Sequence, residues 1–168
     1  MDGMRIRPGS SEDTGIALAL LDEAVAWMVA RGQTGQWGSQ PWSEQPAKVE
    51  KVEKLCASGL WVAEIDGEPV GVLAVGTELQ EWIPPADEPE LYVRLLVSSR
   101  RHAGNDIGGA LLRHARELAR ADGVDLLRVD CWAGDNGRLV GYYVRQGFTP
   151  TATFTVGEWP GQVLAMRP

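Results

Sequence analysis

Apolar residues recur along this chain in two rhythms, and each change of rhythm marks an element. Alternation from Met4 to Arg7 predicts a short first strand that Pro8 and Gly9 break. "SSED" then offers a serine cap and first-turn carboxylates, and in the helix that follows Ile16, Leu20, Ala24, Trp27 and Met28 share one face up to a stop near Gly32. The glycine-rich loop "QTGQWGSQPW" leads to a second amphipathic helix, expected to be capped by Ser43 and to bury Val49, Val52 and Leu55. "LWVAEIDGEPVGVLAVG" reads as two strands turning at Asp66-Gly67-Glu68-Pro69, and a proline-rich acidic loop follows.

Leu91 to Val97 is apolar enough to be a central strand. Behind it comes "RRHAGNDIGGALL", a glycine-bearing turn opening a helix on which Ile107, Leu111, Ala115 and Leu118 form one narrow arc, opposite Arg113, Arg116 and Arg120. Gly123 ends that helix. Leu126 to Trp132 predicts a second buried strand, Leu139 to Arg145 a short helix before Gly147, and "FTPTATFTV" and "QVLAMRP" two last strands. One domain spanning 1–168 is expected.

The longest apolar run, Ile16 to Leu21, is far too short for a bilayer and the N-terminus shows no apolar leader, so a soluble cytoplasmic protein is expected. A net charge of −7 disfavours a nucleic-acid backbone as partner and suits a small cation. Cys56 and Cys131 stand far apart with no CxxC or histidine companion, and His102 and His114 lack metal spacing, so neither a disulfide nor a metal site is expected.

A strand, a glycine turn and a helix N-terminus together make an anion site, because the first helical N–H groups are unpaired and a bare backbone lets phosphate oxygens approach. The spacing excludes two phosphate loops. No lysine follows the glycines as GxxxxGK[ST] requires, and Gly104, Gly108 and Gly109 do not supply the first pair of GxGxxG. What remains resembles the acyl-coenzyme A loop of the GCN5-related N-acetyltransferase (GNAT) superfamily, whose [QR]xxGxG/A pattern laps over "AGNDIG" with Gly108 as its last glycine. Ala103 stands where Arg or Gln is usual, Asp106 replaces the middle glycine, and Val97 to Ile107 is one residue longer than usual. An aspartate beside a diphosphate is unfavourable unless its side chain turns to cap the helix, and that cap is expected for Asp106. "NGRLVGYYVRQGF" resembles the family's NxxAxxFYxxxGF signature through Asn136, Leu139, Tyr142, Tyr143, Gly147 and Phe148. "QWG" and the "DGEPVG" hairpin look like bacterial members.

The resemblance implies an α/β (α+β) fold with a mixed, mostly antiparallel sheet of about six to seven strands, a splayed central pair and about four helices. It implies acetyl transfer from acetyl-coenzyme A to a primary amine, small molecule or peptide, by direct attack in a ternary complex. No metal, nucleic acid or membrane is implied, and a homodimer is allowed. The alternative reading is a non-catalytic acyl-coenzyme A binding regulatory module. By resemblance the main chain of Leu95, Leu96 and Val97 holds the pantetheine and polarises the thioester. Arg101, His102, Ala103, Gly104, Asn105, Ile107, Gly108 and Gly109 form the phosphate turn, with Arg100 beside them, and Asn136 contacts the pantetheine or shapes its own turn. Tyr143 matches the tyrosine that protonates the departing thiolate, and a phenol near pKa 10 holds its proton at neutral pH. Glu90 is the first candidate for the base, ahead of Glu64, Glu78, Glu81 and Asp130. Trp37, Trp42 and Trp132 are candidate aromatic walls for a cationic acceptor.

Overall fold

In a computed structural model, which describes residues 3–168, the chain runs β1 (Met4–Pro8), α1 (Thr14–Ala30), α2 (Pro46–Cys56), β2 (Leu60–Ile65), β3 (Glu68–Gly76), β4 (Leu91–Ser98), α3 (Ile107–Ala121), β5 (Leu127–Trp132), α4 (Gly134–Arg145), β6 (Thr149–Val156) and β7 (Trp159–Met166). The strands form one seven-stranded mixed sheet in the order β1-β2-β3-β4-β5-β7-β6. β4 and β5 are parallel; the pairs β1-β2, β2-β3, β5-β7 and β6-β7 are antiparallel. Two compact units divide the chain. One comprises the residues up to Val75 with Arg94–Leu112, and the other Gly76–Val93 with Arg113–Pro168.

In the first unit, Ser10 and Asp13 close a reciprocal cap ahead of α1. The Glu12 N–H donates to Ser10 Oγ at 3.2 Å and the Ser10 N–H to Asp13 Oδ2 at 3.0 Å. This cap serves a one-turn 3-10 segment, Ser11–Asp13, that runs straight into α1. α1 buries Ala17, Leu20, Leu21, Ala24, Val25 and Met28. The face is therefore turned from the predicted one: Ile16 packs only at the margin and Trp27 is half-buried. Apolar residues run most of the way round α1, so periodicity alone cannot orient it.

α2 begins at Pro46, with Gln45 in the cap position. Ser43 does not cap it as expected. Its N–H and hydroxyl both donate to Asp22 of α1, at 3.1 and 2.5 Å, while proline suits the first helical position because that N–H needs no partner. Both helices lie on a core that includes Val62, Val72, Leu95 and Val97. The opposite sheet face receives the start of α3. A Cβ on Gly71 of β3 would stand 2.7 Å from Ile107 Cγ2 and 3.0 Å from Leu111 Cδ1, so glycine here sets how closely α3 approaches the strand. The β2-β3 hairpin turns at Asp66 (φ 51°) and Gly67 (φ 81°), both left-handed as a two-residue hairpin turn requires.

In the second unit the parallel ladder is short: Leu91, Tyr92 and Val93 pair with Leu127, Arg128 and Val129. Along β5, Leu127, Val129 and Cys131 are buried while Arg128, Asp130 and Trp132 point to the other face. α4 opens with a left-handed stretch, Asp135, Asn136 and Gly137 at φ 54°, 58° and 72°, so its regular part is close to the predicted Leu139 to Arg145.

Candidate active site

The sharp chemistry of the first unit gathers where β4 ends. Leu95 and Val97 turn their side chains into the α1/α2 core, while Leu96 between them is half-buried. A short 3-10 turn, Arg100–His102, follows β4, and Ala103 to Asp106 are exposed. The Ala110 N–H donates to the Asp106 carbonyl at 2.9 Å, which fixes the start of α3 and makes the amides of Ile107, Gly108 and Gly109 its first-turn donors. Asp106 adopts φ 54°, and its carboxylate folds over Gly109, where a Cβ would overlap it. This is the inward turn of the side chain expected from the sequence. It also sets a negative group at the positive end of the helix.

The basic residues of the turn are committed to the protein's own groups. Arg101 Nε pairs with Glu23 Oε2 at 3.3 Å and its Nη2 with Glu68 Oε2 at 3.4 Å. His102 Nδ1 lies 3.1 Å from Ser99 Oγ, and its Nε2 is 4.0 Å from Glu68. Arg100 stacks its guanidinium 3.8 Å from the Trp27 ring. Partial burial pushes the Glu23 carboxyl up, but the hydrogen bonds from Ser99, Arg100 and Arg101 outweigh it and hold the group below the usual carboxylate range.

In the second unit Tyr143 is buried on α4, edge-on to Tyr142 and to Phe148 with centroids 5.4 and 5.8 Å away. Burial, reinforced by Cys131, Tyr142 and Asp130, pushes its phenol well above 10, so it carries its proton at any physiological pH. Burial, followed by Asp130, pushes the Cys131 thiol up to about 12. Cys56 in the first unit is raised chiefly by burial too. Neither sulfur offers a thiolate for nucleophilic attack. Asn136 is exposed at the crest of the left-handed stretch, where Asp135 pairs with Arg138 at 3.2 Å.

Glu90 is held by Arg128 through both oxygens. Nε donates to Oε1 at 2.5 Å and Nη2 to Oε2 at 2.7 Å, and the Ala86 N–H donates to Oε2 at 3.1 Å. The two side chains are only 9% and 12% exposed. Beside them the Tyr92 hydroxyl donates to Asp130 Oδ2 at 2.7 Å. Trp42 is a core residue: its Nε1 donates to the Trp37 carbonyl at 3.1 Å, Trp37 meets it edge-on, and Lys48 lies 4.5 Å from its ring. Trp132 belongs to the other unit, half-buried against Gly134. Of the remaining carboxylates weighed, Glu64 pairs with Arg7 at 3.0 Å. Glu23, Ser99 and Arg128 are residues that sequence reasoning passed over, since these partners lie tens of residues away, and Trp27 was read only as part of the apolar face of α1.

A glycine-opened helix behind a central strand, in a mixed sheet of this order, sets unpaired backbone amides beside the end of β4, a frame suited to an anionic group. The model of the acetyltransferase (GNAT) family matches residues 33–148. The chain belongs to that family. No curated protein matches its sequence significantly. Among solved structures, a GNAT-family acetyltransferase from Listeria monocytogenes 4b F2365 is 18% identical with a TM-score of 0.74, over 100% of this chain and 98% of that one. YncA from Salmonella typhimurium, a putative acetyltransferase solved with its cofactor acetyl-CoA, is 16% identical with a TM-score of 0.65, over 99% and 94%. Ribosomal-protein-alanine N-acetyltransferase from Brucella melitensis is 20% identical with a TM-score of 0.67, over 98% and 99%.

Proposed function

We propose that this N-acetyltransferase moves an acetyl group from acetyl-coenzyme A to the primary amine of a small molecule or peptide by direct attack. The neutral amine's nitrogen bonds to the thioester carbonyl carbon, the carbon–sulfur bond breaks, the leaving sulfur takes the Tyr143 hydroxyl proton, and the proton that nitrogen sheds as the amide forms returns the phenol to its protonated state through solvent. The start of α3 carries the reading: beside the exposed turn it offers a bare backbone at Gly108 to a diphosphate, and by resemblance the main chain of Leu95 to Val97 aligns the thioester. Direct attack, rather than a relay through an acyl-cysteine, is supported by two buried thiols that stay protonated. The Salmonella structure with acetyl-CoA supports the donor, and the Brucella enzyme's name supports an amine acceptor.

We assign Glu90 to anchoring Arg128 rather than to removing the amine's proton, since both of its oxygens already serve as acceptors. Trp42 is assigned to the core, which leaves Trp37 and Trp132 as the aromatic candidates for the acceptor. No helix among the described residues is long and apolar enough to cross a membrane, and a cytoplasmic setting and a single 1–168 domain are part of this proposal. Incubation with acetyl-coenzyme A and a panel of amines, followed by mass spectrometry, tests the reading. The expected product is one amine gaining about 42 Da, the mass of an acetyl in place of a hydrogen, with stoichiometric free thiol. Tight cofactor binding without turnover on any amine would point instead to a regulatory binding module.

A further inference from the structure

The segment that leads from β4 into α3 has little apolar anchorage of its own: Arg101 and Ala103 to Asp106 are exposed, and Ser99 is the residue it buries, at 2% exposure. Its shape depends on polar ties, and several of them converge on one carboxylate from α1. Glu23 Oε1 accepts from Ser99 Oγ at 3.0 Å, the Arg100 N–H at 2.5 Å and the Arg101 N–H at 3.3 Å. One helical turn further, Trp27 supports the Arg100 guanidinium. Residues four apart share a helix face, so α1 presents an anion and an aromatic ring together to the turn. The Ser99 N–H is in turn fixed to the Val70 carbonyl at 2.7 Å.

Backbone amides just past a strand end lose their ladder partners, and a carboxylate that accepts two of them sets the direction of the peptide planes that follow. We propose that Glu23 is a positioning residue for cofactor binding: it holds the Ser99–Arg101 backbone so that the exposed turn beyond it and the α3 amides are preset for a diphosphate. The role rests on the acetyl-coenzyme A reading. It differs from general packing because Glu23 borders a hollow of ≈ 220 Å³, lined also by Ile16, Leu20, Glu68 and Arg101, so a side chain of equal size is accommodated without repacking.

The test compares wild type with Glu23→Gln, and with Ser99→Ala as a second variant that cuts the same tie from the other side. Calorimetry with acetyl-coenzyme A should show a dissociation constant raised about tenfold in Glu23→Gln, and the KM for this donor should rise with it while kcat stays within about threefold. With S-acetylpantetheine, which lacks the diphosphate, the variant and wild type should give the same KM. Unchanged acetyl-coenzyme A affinity in both Glu23→Gln and Ser99→Ala, or an equal loss for both donors, overturns the assignment. Wild type that fails to bind acetyl-coenzyme A overturns the functional reading itself, and this role with it.

Discussion

Replacing Glu90 with alanine separates the two roles this carboxylate could have. In the structure it neutralises an arginine only 12% exposed, through two charge-assisted hydrogen bonds of 2.5 and 2.7 Å. Removing it leaves the guanidinium mostly out of water with the Pro84 carbonyl at 3.0 Å and the face of Tyr92 5.3 Å away. Loss of one partner from a buried pair costs about 3–5 kcal/mol, and these residual contacts favour the lower end. For a chain of this length about 3 kcal/mol is a fall of roughly 6–12 °C in melting temperature. Glu90→Leu combined with Arg128→Met, which replaces the pair by apolar groups, should recover most of the loss. Urea unfolding run beside initial rates at saturating substrates reads both roles at once. Anchoring predicts a large drop in stability with kcat within about threefold below the melting range. A kcat loss of about a hundredfold or more with stability changed by less than about 1 kcal/mol would refute the anchoring argument and restore Glu90 as the base.

Tyr143→Phe should lower kcat by about 10²-fold or more and leave the acetyl-coenzyme A dissociation constant unchanged, since only the proton donor is removed; stopped-assay turnover and calorimetry check the two halves. Gly71→Ala should destabilise by about 1–3 kcal/mol in urea titration, because its Cβ would stand 2.7 Å from Ile107 Cγ2 and 3.3 Å from the Val97 carbonyl oxygen, which cannot swing aside. Asp106→Asn should bind acetyl-coenzyme A about three- to tenfold more tightly at low salt, with the gain shrinking as salt is added, because a like charge leaves the helix end. Stability should also fall with alkaline pH: folding raises the Cys131 thiol from 9.0 to about 12, so its contribution is complete below about 9 and is lost as pH climbs toward 12. Cys131→Ala should make that decline shallower in pH-stepped melts.

The elements most legible in the sequence were those with strong local signals. Asp66-Gly67 between two apolar runs gave the hairpin because this dipeptide suits the left-handed pair that a two-residue turn requires, and α3 showed its buried arc because its other side is lined with arginines. α1 was recognised as a helix but not oriented, its apolar residues covering too much of its circumference. Pro46 was the better start signal for α2 than Ser43, whose hydroxyl is taken by an aspartate 21 positions away. Trp42 in a glycine-rich loop suggests an exposed wall, yet it sits in the α1/α2 core, and nothing local in the loop reports that. The inward turn of Asp106 was readable because a short carboxylate just ahead of a helix can face its unpaired first-turn N–H groups. Glu23 and Arg128 were not, since their partners are 76–78 and 38 residues distant and no periodicity connects them.

A crystal structure of the protein with coenzyme A bound examines the account where it is most exposed. The diphosphate oxygens should lie within hydrogen-bond distance of the amides between Gly104 and Gly109, with the pantetheine arm along the backbone of Leu95 to Val97. A diphosphate held elsewhere on the molecule, with those amides facing solvent or the Asp106 carboxylate alone, would contradict it.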